Sequence, residues 1–209
     1  MSAWTAIGRW GQVEWVAPAV LAIALAYLVR GRDRLGIALL VAFFVAVLAT
    51  AATKIAFMAW GLGSAALDFT GISGHAMCAA AIYPLVGASL KWNGDPGSRV
   101  PVALGSAIAL IIAFSRVEAR AHSPSEVVVG VLLGAAVAWA AVRRGGRPPR
   151  LLQPLVVAAA MLLIVAWPAA SEPMPNAHSV LTRIALVVSG RAAVYTRADL
   201  HRASAQPGS

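Results

Sequence analysis

An all-α, polytopic bundle of transmembrane helices, with about six spans, is the fold class this sequence predicts. Three observations predict it. Of 209 residues, 60% are hydrophobic and only 12% are charged, whereas soluble domains run nearer about 45–50% apolar and about 25% charged. Mean hydropathy is +0.77. The apolar residues fall in continuous Ala/Leu/Val-rich runs, too long for strands and close to the ~20 residues that a helix needs to cross a bilayer. The length suits one bundle.

In chain order, the N-terminus "MSAWTAIGRWGQVEW" lacks the compact basic region and short apolar core of a cleavable signal peptide. Spans are predicted near 13–30, 35–60, 74–90, 100–115, 124–142 and 151–168. The breaks are "RGRDR" (30–34), "GLGSAALDFTGISG" (61–74), "KWNGDPGSR" (91–99), "SRVEARAHSPSE" (115–126) and "RRGGRPPR" (143–150). The one cysteine, Cys78, lies inside an apolar run. It excludes an intramolecular disulfide and reads as a small buried hydrophobe. Residues 1–168 form the predicted membrane domain and 169–209 a tail. Within the tail, "SVLTRIALVVSGRAAVY" (179–195) is too short and basic for a span and reads as an interfacial helix. The last residues, "HRASAQPGS", read as disordered.

The basic loops alternate. Arg30, Arg32 and Arg34, then Lys91 and Arg99, then Arg143, Arg144, Arg147 and Arg150 fall on one side; these are nine of the 17 Lys and Arg. The positive-inside rule assigns that side to the cytoplasm. Loops 61–73 and 116–123 then face outward. The formal charge of +9 is accordingly a topology signal, and no nucleic-acid partner is expected. Six spans place the tail outside too, where Arg183, Arg191, Arg197 and Arg202 run against the rule.

Ionisable groups at span ends are functional candidates in a membrane protein, and each here also has a plain structural explanation. Lys54 can snorkel to headgroups. Ser73, Gly74 and His75 open the third span. Ser73 can simply cap it, yet a helix start also offers N–H groups to an anion, and Gly74 lets the backbone approach closely. His75 can be a packed interfacial histidine, and Ser115 and Arg116 close the fourth span, where Arg116 can anchor to lipid phosphates. "SPSE" (123–126) has the form of a capping box, with Ser123 as N-cap, Pro124 at the first helical position and Glu126 reaching back. His122 and Glu126 are four apart, so the same carboxylate can instead fix a histidine tautomer and raise its basicity, as acids do in triads.

Singly, the plain explanations win or tie. Jointly, Lys54, Arg116, Arg120, His75, His122, Ser73 and a helix N-terminus converge on one face. That set suits phosphoryl transfer: cations and N–H donors stabilise the transferring group, one histidine attacks phosphorus and another protonates the leaving oxygen. No aspartate cluster suits Mg²⁺ and no Cys/His set suits zinc. Chemistry without metal or other cofactor is therefore expected.

These residues resemble the type 2 phosphatidic acid phosphatase superfamily over roughly residues 50–142. The family pattern has three parts: Lys, six residues, Arg-Pro; Pro-Ser-Gly-His; and Ser-Arg, five residues, His, three residues, Asp. The third part reads Ser115-Arg116, "VEARA", His122, "SPS", Glu126, with matching spacing and Glu for Asp. The second reads Ile72-Ser73-Gly74-His75, without the proline, and the first keeps Lys54 but has Gly61-Leu62 for Arg-Pro. The resemblance implies that His122 is the nucleophile, supported by Glu126, and His75 the general acid. It implies that Lys54, Ser73, Gly74 and Arg116 hold the phosphoryl oxygens, with Arg120 as a stand-in for the arginine missing at 61.

The expected function is an integral-membrane lipid phosphatase in a bacterial inner membrane, its site facing the periplasm or exterior. The expected partners are the bilayer and a membrane lipid: undecaprenyl diphosphate, phosphatidic acid or phosphatidylglycerophosphate. A degenerate relative that binds or moves phospholipid is the alternative, motivated by positions 61, 62, 72 and 126. A haem or metal carrier using His75 and His122 is a third.

Overall fold

Hydrocarbon offers backbone groups no hydrogen-bond partners, so apolar runs of this length must satisfy their own as helices. The computed structural model describes residues 3–29, 31–90, 99–145 and 177–205, and its elements are α-helices joined by turns. They are α1 (Ala3–Gly8), a 3-10 turn (Arg9–Gly11), α2 (Val13–Val29), α3 (Asp33–Trp60), α4 (Gly74–Ser89), α5 (Val100–Glu118), α6 (Pro124–Gly145), α7 (Ala177–Ser189) and α8 (Arg197–Ala205). Among the described residues there is no strand, only an isolated bridge between Ser64 and Phe69.

Four stretches are long and apolar enough to cross a membrane: Ala3–Val29, Arg34–Trp60, Val100–Glu118 and Pro124–Ala141. The span expected at 151–168 lies outside the described residues. The bounds of the span expected at 74–90 are corrected slightly: α4 ends at Ser89 and has 16 residues, which at about 1.5 Å per residue make ~24 Å. It is the hub of the bundle, packed chiefly against α5 and α6. Eleven of its residues are buried. Small residues allow this closeness, as in other membrane bundles. A Cβ on Gly134 would stand 2.1 Å from the Met77 carbonyl oxygen, and one on Gly105 2.2 Å from that of Tyr83.

The two ends of the chain hold features the sequence reading did not contain. Before α2, residues 3–11 lie against α5 and the start of α4, with the Trp4 and Phe114 rings edge-to-face at 5.8 Å. At the other end, α7 packs on α3, where Ala185 is buried with Phe57, Met58 and Ala59. The expected disorder from His201 is corrected as well. His201–Ala205 are helical in α8, whose start is fixed by a second capping arrangement: the Asp199 carboxylate accepts the Thr196 N–H at 2.8 Å and its hydroxyl at 2.6 Å.

Candidate active site

Four helix ends meet at one end of the bundle: the C-terminal part of α3 with Lys54, the start of α4 with His75, the end of α5 with Arg116 and the start of α6 with Glu126. Lys54, His75, Arg116 and His122 lie within one another's electrostatic reach, and Lys54 and His122 within that of Glu126.

Glu126 is completely buried. Its Oε2 accepts from His122 Nδ1 at 2.7 Å and from the Ser123 N–H at 3.2 Å. Its Oε1 accepts from the Thr70 N–H at 2.7 Å, the Thr70 hydroxyl at 2.5 Å and Arg197 Nη2 at 2.9 Å. The Glu126 N–H in turn donates to Ser123 Oγ at 3.4 Å. Capping box and histidine support are both present, and they share one oxygen. A carboxylate only accepts, so Nδ1 of His122 carries the proton and Nε2 keeps its lone pair. Burial pushes the His122 pKa below the ordinary histidine value; the bond to Glu126 opposes this, and the Lys54 and Arg116 charges reinforce it. The ring is thus held neutral.

Ser73 precedes α4 in an extended conformation and makes no side-chain cap bond. Its carbonyl accepts the Met77 N–H at 3.0 Å and its own N–H donates to the Glu126 carbonyl at 3.1 Å. The Ser73 hydroxyl oxygen, Arg116 Nε and Thr50 Oγ1 are buried without a hydrogen-bond partner. Leaving such a group unsatisfied costs about 1–3 kcal/mol. Ser115, by contrast, donates its hydroxyl to the Ile112 carbonyl at 2.6 Å. Arg120 sits in the left-handed turn that ends α5, at φ 53, and is exposed.

The loop between α3 and α4 is fitted closely to this site. Gly71 has φ 141, and a Cβ there would come 2.8 Å from Lys54 Cγ and 3.1 Å from its Cα. Ile72 donates its N–H to Thr53 Oγ1 at 3.1 Å, a bond that a proline at 72 would lack. Ser125 donates to the Leu67 carbonyl at 2.6 Å, tying the loop to α6.

The model of the PAP2 superfamily matches residues 57–148. The matched segment, somewhat under half of the chain, is what supports membership of that superfamily. The match holds His75, Arg116, His122 and Glu126, and begins three residues after Lys54. The chain is also similar to the "Uncharacterized 22.5 kDa protein in cps region" of Klebsiella pneumoniae, 45% identical over 86 residues, which are 41% of each chain. It thus spans about two fifths of that relative's length. No solved structure matches.

The residues that sequence reasoning missed are Thr70, Thr53 and Arg197. Thr70 lies in the quoted "GLGSAALDFTGISG", but nothing local marked it as a partner of Glu126. Arg197 stands 71 residues from Glu126 and outside the PAP2 segment, and no spacing rule connects the two. Among the described residues no three of His, Cys, Asp and Glu group as a metal site.

Proposed function

We propose that the chain is an integral-membrane phosphatase that hydrolyses a lipid phosphate or diphosphate through a phosphohistidine. The observation that carries this reading is the buried carboxylate of Glu126 at 2.7 Å from His122 Nδ1, which leaves Nε2 as a neutral nucleophile. In the first step the Nε2 lone pair forms a bond to phosphorus as the bond to the lipid or phosphate oxygen breaks. That oxygen takes a proton from His75. In the second step water attacks the phosphohistidine, gives its proton to His75, and the P–N electron pair returns to Nε2. Lys54, Arg116, the Ser73 hydroxyl and the free N–H groups at the start of α4 hold the phosphoryl oxygens. Acceptor oxygens there relieve the unpartnered Ser73 hydroxyl and Arg116 Nε. A phosphate between Lys54 and Arg116 also supplies the negative charge that holds a proton on His75.

This reading is preferred to a degenerate lipid-binding relative because positions 72 and 126 are accommodated by specific bonds, those to Thr53 and to the His122–Thr70–Arg197 set. The proposed setting is a bacterial inner membrane with the site facing outward. Phosphate release by detergent-solubilised protein tests the reading on phosphatidic acid, phosphatidylglycerophosphate and undecaprenyl diphosphate, with and without EDTA. At least one lipid is expected to be hydrolysed in EDTA, with turnover and a rapid-quench ³²P label both absent in His122→Ala. No release from any of them, or a label that survives in His122→Ala, refutes it.

A further inference from the structure

The C-terminal segment crosses the site end of the bundle and is anchored at several points. The Tyr195 N–H donates to the Met58 carbonyl at 2.9 Å. The Arg191 guanidinium stacks 4.2 Å from the Tyr195 ring centroid, and Leu200 packs on the cluster of Phe57, Met58, Ala59 and Ala185. The Tyr195 ring lies 3.3 Å from where a Cβ on Gly61 would be. The segment therefore occupies space beside the position at which the family pattern has arginine.

That segment delivers Arg197. Its Nη2 donates to Glu126 Oε1 at 2.9 Å, and its Nη1 donates to the carboxylate and, at 3.0 Å, to the carbonyl of Asp68. Asp68 also pairs with His201 at 2.8 Å. The guanidinium is thus committed to carboxylates rather than left open to a substrate. We infer that Arg197 is a positioning residue of the active site, acting on the nucleophile His122 through Glu126. This inference rests on the phosphatase reading above.

The physical case is one of charge. Glu126 is fully buried, and an ionised carboxylate is retained there only if it is paired and hydrogen-bonded. Its other partners are Thr70, Ser123 and His122, and His122 must be neutral to attack. Arg197 is then the cation bonded to it. It keeps Glu126 ionised, and an ionised Glu126 keeps the His122 proton on Nδ1. The shape agrees: Thr70 and Arg197 fill Oε1 while His122 and Ser123 fill Oε2, so the carboxylate is held from both sides. The groups around His122 are Lys54 of α3, His75 of α4, Arg116 of α5 and Glu126 of α6, with Arg197 of α8 behind Glu126.

A double-mutant cycle over Arg197→Gln, Glu126→Gln and both together tests the inference. It reads turnover and, by ¹⁵N-histidine NMR of solubilised protein, the titration of His122. Arg197→Gln is expected to lower kcat about tenfold or more, the scale of losing a partner that orients a site ligand, with KM little changed. It is also expected to move the His122 titration to higher pH, because a Glu126 carboxylate no longer paired with a cation holds the His122 proton more strongly. Arg197→Lys, which keeps the charge, should restore the titration and part of the turnover. In the Glu126→Gln background, removing Arg197 should change neither quantity. Independent losses that multiply, or a His122 titration unmoved in Arg197→Gln, overturn the inference. Poor folding of Arg197→Gln alone does not block the test, because the double variant leaves no buried unpaired charge and can be set against Glu126→Gln. A wild-type protein that releases no phosphate sinks the phosphatase reading, while the titrations still decide whether Arg197 acts through Glu126.

Discussion

Glu126 does two jobs with one side chain. As the third residue of a capping box it receives the Ser123 N–H, and as the partner of His122 it fixes the tautomer of the proposed nucleophile. Glu126→Gln separates the jobs, because glutamine also serves at that box position. Its stability loss is expected to exceed the ~1 kcal/mol of a cap, because the amide NH2 faces donors that the carboxylate accepted. Turnover is expected to fall about 100-fold or more, by analogy with losing the acid of a catalytic triad. Glu126→Asp should retain partial activity, since the shorter side chain cannot span Thr70, Arg197 and His122 together. The same assays read pH. Since His122 titrates below the ordinary ~6.5, the acid limb of kcat/KM should lie below that value in the wild type. It should lie lower still in Glu126→Gln, which loses the negative charge that raises the His122 pKa. Glutamine turnover equal to wild type at verified folding would leave the capping box as the whole explanation. The sequence could not decide this: "SPSE" after a histidine is the same string under either reading, and only the structure has one carboxylate bonded to both the Ser123 N–H and His122.

At the scale of elements, what was legible is what the membrane dictates. Apolar runs must be helices, so α2, α3, α5 and α6 fall close to their expected bounds. The pieces that were not legible depend on contacts between distant residues. The helix Ala3–Gly8 lies beside Arg116, whose Nη1 would be 2.3 Å from a Cβ on Gly8. The C-terminal segment is another such piece, as basic and short as an interfacial helix, yet seated on α3 and Asp68. It also changes how position 61 reads. Gly61 ends α3 at φ 72, and the Leu62 N–H closes the turn on the Ala56 carbonyl at 3.4 Å, the pattern of a glycine-terminated helix. Gly61→Arg, which restores the family residue, is therefore expected to impair the protein. A side chain in the left-handed region costs about 1–2 kcal/mol, and its Cβ would press on Tyr195 and displace the segment that carries Arg197. A lower unfolding temperature together with reduced turnover is the expected result. Improved turnover at unchanged stability would show that the segment does not take the place of the missing arginine.

For the whole molecule, the question is which side of the membrane the site faces. The residues that meet at the site come from the ends of α3 and α5 and the starts of α4 and α6, so they lie on one side whichever way the bundle points. The basic residues at Arg32, Arg34 and Arg99 lie at the opposite ends of these helices. A positive charge near a span end resists transfer across the membrane, so the proposed orientation has that end cytoplasmic and the site outward. The tail's Arg183, Arg191, Arg197 and Arg202 do not share this bias, but Arg197 is paired with Glu126 and Asp68 and Arg202 with Asp199 at 2.5 Å, so part of that charge is neutralised locally. Single-cysteine tags decide the matter in a Cys78→Ala background, which removes the buried native thiol. Ala65→Cys and Ala119→Cys, in the loops at the site end, should react with an impermeant thiol reagent in intact cells or spheroplasts. Arg32→Cys and Arg99→Cys should react only after the membrane is opened. The reverse pattern would turn the site to the cytoplasm and overturn the proposed outward orientation.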